Sequence, residues 1–141
     1  MVITRRCAAG PARGALALLV LGGLLSGCGK GKGIEAELAN LRGGGHTLSE
    51  FKDSDPKEWH AQRCQSGTID KLAATLCEYV SAKAATLGQD ARDAWIGRAH
   101  SGTVLRRELI LIGLADRDRV DVNGKALAAV ARTIRRAPKK S

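Results

Sequence analysis

Thr68-Ile69-Asp70-Lys71-Leu72-Ala73-Ala74-Thr75-Leu76-Cys77-Glu78-Tyr79-Val80-Ser81-Ala82-Lys83-Ala84-Ala85-Thr86-Leu87-Gly88 is the longest stretch with a regular apolar rhythm. Ile69, Leu72, Leu76, Val80 and Leu87 fall on one stripe of a helix, with Ala73 and Ala84 between them. Thr68 suits the N-cap and Gly88 the stop. Cys77 borders the stripe and so faces or edges a core. Read this way, the chain is mainly α, and this helix is its longest member.

The segment just before it carries two further start signals. Thr47-Leu48-Ser49-Glu50 is a capping-box pattern leading into a short turn with Leu48 and Phe51. Asp55-Pro56-Lys57-Glu58 places Asp at an N-cap and Pro at the first helical position. A helix from Pro56 to about Gln65 follows, bearing Trp59, Arg63 and, near its end, Cys64. Gly67 stops it, so the two helices form a small hairpin.

Further out, Ile34 to Arg42 sets Ile34, Leu38 and Leu41 at helical spacing, and Gly43-Gly44-Gly45 ends that helix as a hinge. His46 beside the hinge reads as a solvated loop residue. Asp90 to Ala99 makes a further helical turn around Trp95, and His100-Ser101-Gly102 is loop. Leu109 to Leu114 is a continuous apolar run, either a buried strand or part of a helix starting near Thr103. Asp116-Arg117-Asp118-Arg119 is a polar turn. Asn123-Gly124 precedes an amphipathic helix from Lys125 to about Arg136, with Leu127, Val130 and Ile134 on its apolar face.

The amino terminus addresses the chain. Arg5, Arg6 and Arg13 stand before a short apolar run, Ala15 to Leu21, and small residues follow. That is the pattern of a secretory signal peptide. The run falls short of the 20 or so apolar residues that span a bilayer. Leu25-Ser26-Gly27-Cys28 resembles a bacterial lipobox, which implies cleavage after residue 27 and lipidation of Cys28. Gly29-Lys30-Gly31-Lys32-Gly33 then reads as a flexible tether whose lysines suit anionic headgroups. The chain therefore divides into a signal peptide (1–27), a lipidated tether with a short helix (28–45), a helical domain (46–88) and a C-terminal extension (89–141).

Charge is unevenly spread. The whole chain carries +9, and the three signal arginines leave +6 on residues 28 to 141. Acidic and basic residues balance from Cys28 to Asp121. The excess lies in the tail, at Lys125, Arg132, Arg135, Arg136, Lys139 and Lys140. A neutral body with a basic tail differs from the even positive field of a nucleic-acid binder. The tail helix has two readings: Lys125, Arg132, Arg135 and Arg136 against a membrane surface, or a solvated helix packed through Leu127, Val130 and Ile134. The second is preferred slightly.

Export leaves Cys64 and Cys77 as a pair that reads first as one disulfide. On the helical reading Cys77 stands about 13 Å up its helix axis, whereas bridged Cα atoms lie within about 7 Å. A loop over Gln65 to Ile69, freed by Gly67, is expected to close that gap. With His60 the cysteines also form a His-x3-Cys-x12-Cys array, but it lacks the fourth ligand a structural zinc site needs. His46, His60 and His100 sit in no nucleophile, metalloprotease or phosphate-loop pattern. The sequence therefore points away from an enzyme, and to no metal, cofactor, small-molecule substrate or nucleic acid.

From Thr47 to Leu87, together with the lipobox, the chain resembles the entry-exclusion lipoproteins of conjugative plasmids. Thr47, Phe51, Asp55-Pro56, Trp59, Cys64, Gly67, Cys77, Ala82 and Ala84-Ala85 carry the likeness. From Gln89 onward the chain departs from that pattern. The resemblance implies a lipid-anchored protein facing the periplasm, which blocks redundant transfer by contacting the donor's mating-pair or type IV secretion machinery. It favours the inner membrane, and Gly29 is not the Asp that commonly retains lipoproteins there. Trp59, Arg63 and Tyr79 are expected to form the contact surface. The competing expectation is a general envelope lipoprotein with a structural or assembly role in the envelope or the secretion apparatus.

Overall fold

The computed structural model describes residues 33–136. The signal peptide, Cys28, most of the tether, Lys139 and Lys140 lie outside the described residues. The fold overturns the mainly-α hairpin. Five antiparallel strands form one sheet in the order β1-β2-β3-β5-β4, with helices on both faces. The elements are α1 (Ile34–Gly43), β1 (Lys52–Ser54), β2 (Arg63–Ile69), β3 (Leu72–Glu78), α2 (Ala82–Ile96), β4 (Ser101–Arg107), β5 (Ile110–Asp116) and α3 (Lys125–Arg135).

The stretch read as one long helix splits into a hairpin turn, a strand and the first part of a helix. Asp70 and Lys71 both take left-handed backbone (φ 49° and 70°), which reverses the chain in two residues and pairs Ile69 with Leu72. Two successive positive φ values match the right-handed twist of the flanking strands. Asp70 tolerates that conformation, and its surroundings fix it. Its carboxylate accepts from Thr47 N at 2.8 Å, and its own N–H donates to Thr47 O at 2.8 Å. Register then runs without a break to Arg63 opposite Glu78.

Alternation assigns the two faces of the sheet. Ile69, Ala74, Leu76, Leu105, Ile110, Ile112 and Leu114 join Ile34, Leu38 and Leu41 of α1 and Val130, Ala131 and Ile134 of α3 in the larger core. On the other face Cys64, Cys77, Tyr79 and Leu111 pack with Trp59 and Ala85 of α2. β3 and β5 are buried from both sides, so neither shows the polar-apolar alternation that marks a half-exposed strand. The boundary drawn at residue 88 falls inside α2, and β3 pairs with β5 across it.

The other corrections have local causes. Pro56 to Gln65 is no helix: a 3-10 turn at Lys57–Trp59 is followed by β2. The Asp55 signal survives as a cap on that turn, its carboxylate accepting from Lys57 N at 2.9 Å. The capping-box residues lie along the sheet instead, Leu48 bridging Ile69 and Ser49 Oγ accepting from Thr68 N at 2.8 Å. Leu109 to Leu114 falls in the β4–β5 turn and the buried strand β5, one of its two readings. The segment around Trp95 is the end of α2, which Ser81 caps by accepting from Ala84 N at 3.1 Å. α1 and α3 form close to where the sequence places them. Ahead of α3, Asp121 accepts from Ala126 N and Leu127 N, and these bonds hold its carboxyl below the usual range.

Gly88 does not end a helix; it sits buried inside α2, under the phenol of Tyr79. A methyl there would overlap the Tyr79 hydroxyl. Gly88→Ala is therefore expected to destabilise the protein by about 1–3 kcal/mol through overpacking, despite alanine's better helix propensity. Urea denaturation of the variant checks this, and a more stable variant would contradict it.

Candidate functional site

The sheet has two ends about 23 Å apart, the length of a seven-residue strand. At one end β3 stops, β4 turns into β5, and the chain enters α1 at Gly33. A cleft of about 640 Å³ opens here, lined by Gly33, Arg63, Glu78, Tyr79, Glu108 and Leu109 among others. Gly33 is required: its φ is +124°, and a Cβ would strike the Glu78 carboxylate, which accepts from Ile34 N at 3.3 Å. The first residues of α1 are thereby fixed to the end of β3.

Arg63 organises the charge of this cleft. It bonds Glu35, lies 3.7 Å from Glu78 Oε2 and 4.0 Å from Asp53 Oδ1. The bond from Arg63 holds the Glu35 carboxyl below its ordinary range and raises the Arg63 value in turn. Both groups are well hydrated, so the pair adds little to stability. Arg107 is better shielded. It sits 3.4 Å from the buried Glu37, whose carboxyl burial pushes up, and donates to the carbonyls of Ile134 and Arg136 at the end of α3. The carboxylates of Glu35, Glu78 and Glu37 are thus each set beside an arginine.

Of the three residues expected to form a contact surface, only Arg63 reaches solvent freely. Trp59 and Tyr79 are buried beneath α2, with Tyr79 Oη donating to Trp59 O at 2.9 Å. Burial also pushes the Tyr79 phenol up. Trp59 meets Trp95 edge to face at 6.1 Å, and Arg92 lies over the Trp59 ring at 5.2 Å. Arg92 is fully buried and has no carboxylate partner among the described residues. It donates to Thr75 O at 2.6 Å, while Nε and Nη2 have no hydrogen-bond partner among the described residues. Nothing local in the sequence marks this arginine, because helical charges ordinarily point outward.

His46 is not a solvated loop residue. Its ring bridges Asp70 Oδ2 at 2.7 Å and Thr133 Oγ1 at 2.8 Å, joining the β2–β3 turn, the end of α1 and α3. The order carboxylate, imidazole, hydroxyl is that of a hydrolytic triad. Here the hydroxyl donates to Ala129 O, and Gly44 packs so closely that a methyl there would touch Thr133. The three side chains clasp the β2–β3 turn, the end of α1 and α3 together.

Cys64 and Cys77 stand directly opposite each other in β2 and β3 and form a disulfide, with Cα atoms 4.1 Å apart. Strand pairing supplies the proximity that a helical reading sought in a loop. With the sulfurs joined, neither is a free thiolate for an array with His60. Among the described residues, no three His, Cys, Asp or Glu side chains gather as metal ligands.

Lys125, Arg132, Arg135 and Arg136 are exposed on the outer side of α3, while Val130 and Ile134 pack inward. At the far end of the sheet, beyond Asp116, the loop Arg117 to Asn123 leaves Val120 48% and Val122 69% exposed. Arg117 covers the Trp95 ring at 4.4 Å, and Arg119 takes left-handed backbone. In the sequence Asp116 to Arg119 reads only as a polar turn. No helix among the described residues is long and apolar enough to cross a membrane. Comparison with known protein families, characterised proteins and solved structures returned no match.

Proposed function

We propose that this chain is an envelope lipoprotein of the periplasmic side, held in the inner membrane through Cys28, that mediates entry exclusion by touching the incoming transfer machinery. The observation that carries this reading is the polarity of the head. Residue 33 enters the fold at one end of the sheet, five residues after the lipobox cysteine. The opposite end displays Val120 and Val122 beside Arg117 and Arg119. A head tethered at one end presents the other to whatever crosses the periplasm. Paired exposed valines ringed by charge have the make-up of a small contact patch. The contact therefore moves from Trp59 and Tyr79 to the Arg117–Asn123 loop, and function rests on recognition.

Transfer of a conjugative plasmid that encodes this chain, scored into recipients expressing the chain alone, tests the reading. The wild-type chain is expected to lower transfer relative to empty recipients. Val120→Asp with Val122→Asp removes the apolar contact and weakens exclusion about tenfold or more at equal abundance, as expected for loss of an interface centre. Equal transfer into expressing and empty recipients overturns exclusion. A general assembly role would instead show as envelope defects on deletion, with transfer unchanged.

A further inference from the structure

We infer that the Gly33 end of the head lies against the membrane, with Val80 and Leu109 seated among anionic phospholipids. This rests on the lipid anchor proposed above. Gly33 is five residue steps from Cys28, and fully extended these reach at most about 18 Å. Because the Glu78 carboxylate pins the start of α1, that tether ends on one fixed corner of the fold.

The same corner carries apolar side chains turned to solvent. Val80 is 71% exposed and Leu109 39%. They are neighbours, since Tyr79 N donates to Leu109 O at 2.9 Å and Val80 is the next residue. On α2, Leu87 is 59% exposed as well, with exposed Lys83 one turn before it. Arg106 brings a second cation to this corner. Its Nε donates to Glu108 O at 3.1 Å in the β4–β5 turn, and its Nη1 to Thr86 Oγ1 at 3.4 Å on α2. Glu108 is the one exposed acid beside Leu109, and the nearby Glu35 and Glu78 are held by Arg63.

Aliphatic side chains flanked by Lys and Arg, within reach of a lipid anchor, match an interface of acyl chains below and phosphates above. Apolar patches on monomers mark contact surfaces, and the short tether makes the bilayer the surface always in reach. The Gly33 end thus fixes the head upright and keeps the Val120–Val122 loop facing away.

Full-length protein purified from membranes is reconstituted in phosphatidylethanolamine and phosphatidylglycerol liposomes, with a photoreactive phenylalanine at residue 80, 109 or 122. Each position is exposed, so the fold tolerates the probe. Phospholipid adducts are expected at 80 and 109 and not at 122, with lower yield when phosphatidylcholine replaces phosphatidylglycerol. Absent adducts at 80 and 109 on protein whose intact mass shows lipid on Cys28 overturn the docking and leave the anchor standing. Equal adducts at all three positions overturn it as well, since the head then tumbles on its tether. Protein dimers crosslinked from 109 assign the patch to a second copy and overturn it too. An unlipidated Cys28 overturns docking and anchor together.

Discussion

Replacing both Cys64 and Cys77 with alanine lowers the unfolding free energy by about 3 kcal/mol, the chain-entropy value for a loop of this size. The two residues are 13 apart in sequence and opposite each other in β2 and β3. Closing that loop removes freedom from the unfolded chain, while the Asp70-Lys71 turn already sets the register in the folded one. The sheet is therefore expected to form without the bridge, with unchanged far-ultraviolet dichroism. Both sulfurs also lie in the smaller core between Trp59 and Leu111, so alanine gives up some packing in addition. Urea unfolding with and without reductant measures the loss in the wild type. A difference below 1 kcal/mol would mean that the bridge constrains little.

The second large effect has the opposite sign. Arg92→Met is expected to raise stability at neutral pH by as much as about 3 kcal/mol. Burial pulls the Arg92 guanidinium down to about 10, and the nearby Tyr79 phenol offsets only part of the lost hydration. Each unit corresponds to about 1.4 kcal/mol of preference against the charged form in the fold. A base with a depressed folded value binds fewer protons folded than unfolded between that value and its ordinary one. Its cost is therefore full below pH 10 and declines as pH rises through that window. The advantage of Arg92→Met should shrink accordingly above pH 10. Removing buried charges in favour of apolar side chains of like volume has this sign where the charge is poorly paired. Arg92→Ala is expected to destabilise, because it leaves a cavity under Trp59. If Arg92→Met is less stable than the wild type by more than 1 kcal/mol, the stacking on Trp59 and the bond to Thr75 O outweigh the desolvation.

These two sites show where the sequence was legible. α1 and α3 each bury one face only, so Ile34, Leu38 and Leu41, and Leu127, Val130 and Ile134, keep a helical period that can be read locally. β3 offers no such signal. Leu72 and Leu76 are four apart, a spacing that shares a face in a helix and in a strand alike. With helices on both sides of the sheet, the residues between them are buried too, and the alternation disappears. Alanine-rich composition favours a helix locally, and only pairing with β2 and β5 makes the segment a strand. The bridge between Cys64 and Cys77 could be expected from cysteine count and export signal, but its geometry belongs to the sheet. Burial of Trp59 and Tyr79 under α2, and of Arg92 on its inner face, is equally a product of tertiary packing, and no local pattern marks these side chains as inward-facing. The exposed valines at residues 80, 120 and 122 became distinctive only once the ends of the sheet were known.

The proposed contact role depends on two covalent features, the proposed lipid anchor and the disulfide, and one spectrum reads both. The intact mass of the membrane-extracted protein, taken without reductant, is expected to match a chain beginning at Cys28 that carries lipid and lies two hydrogens below its dithiol form. A chain beginning at Met1, unmodified and with free thiols, would contradict the account.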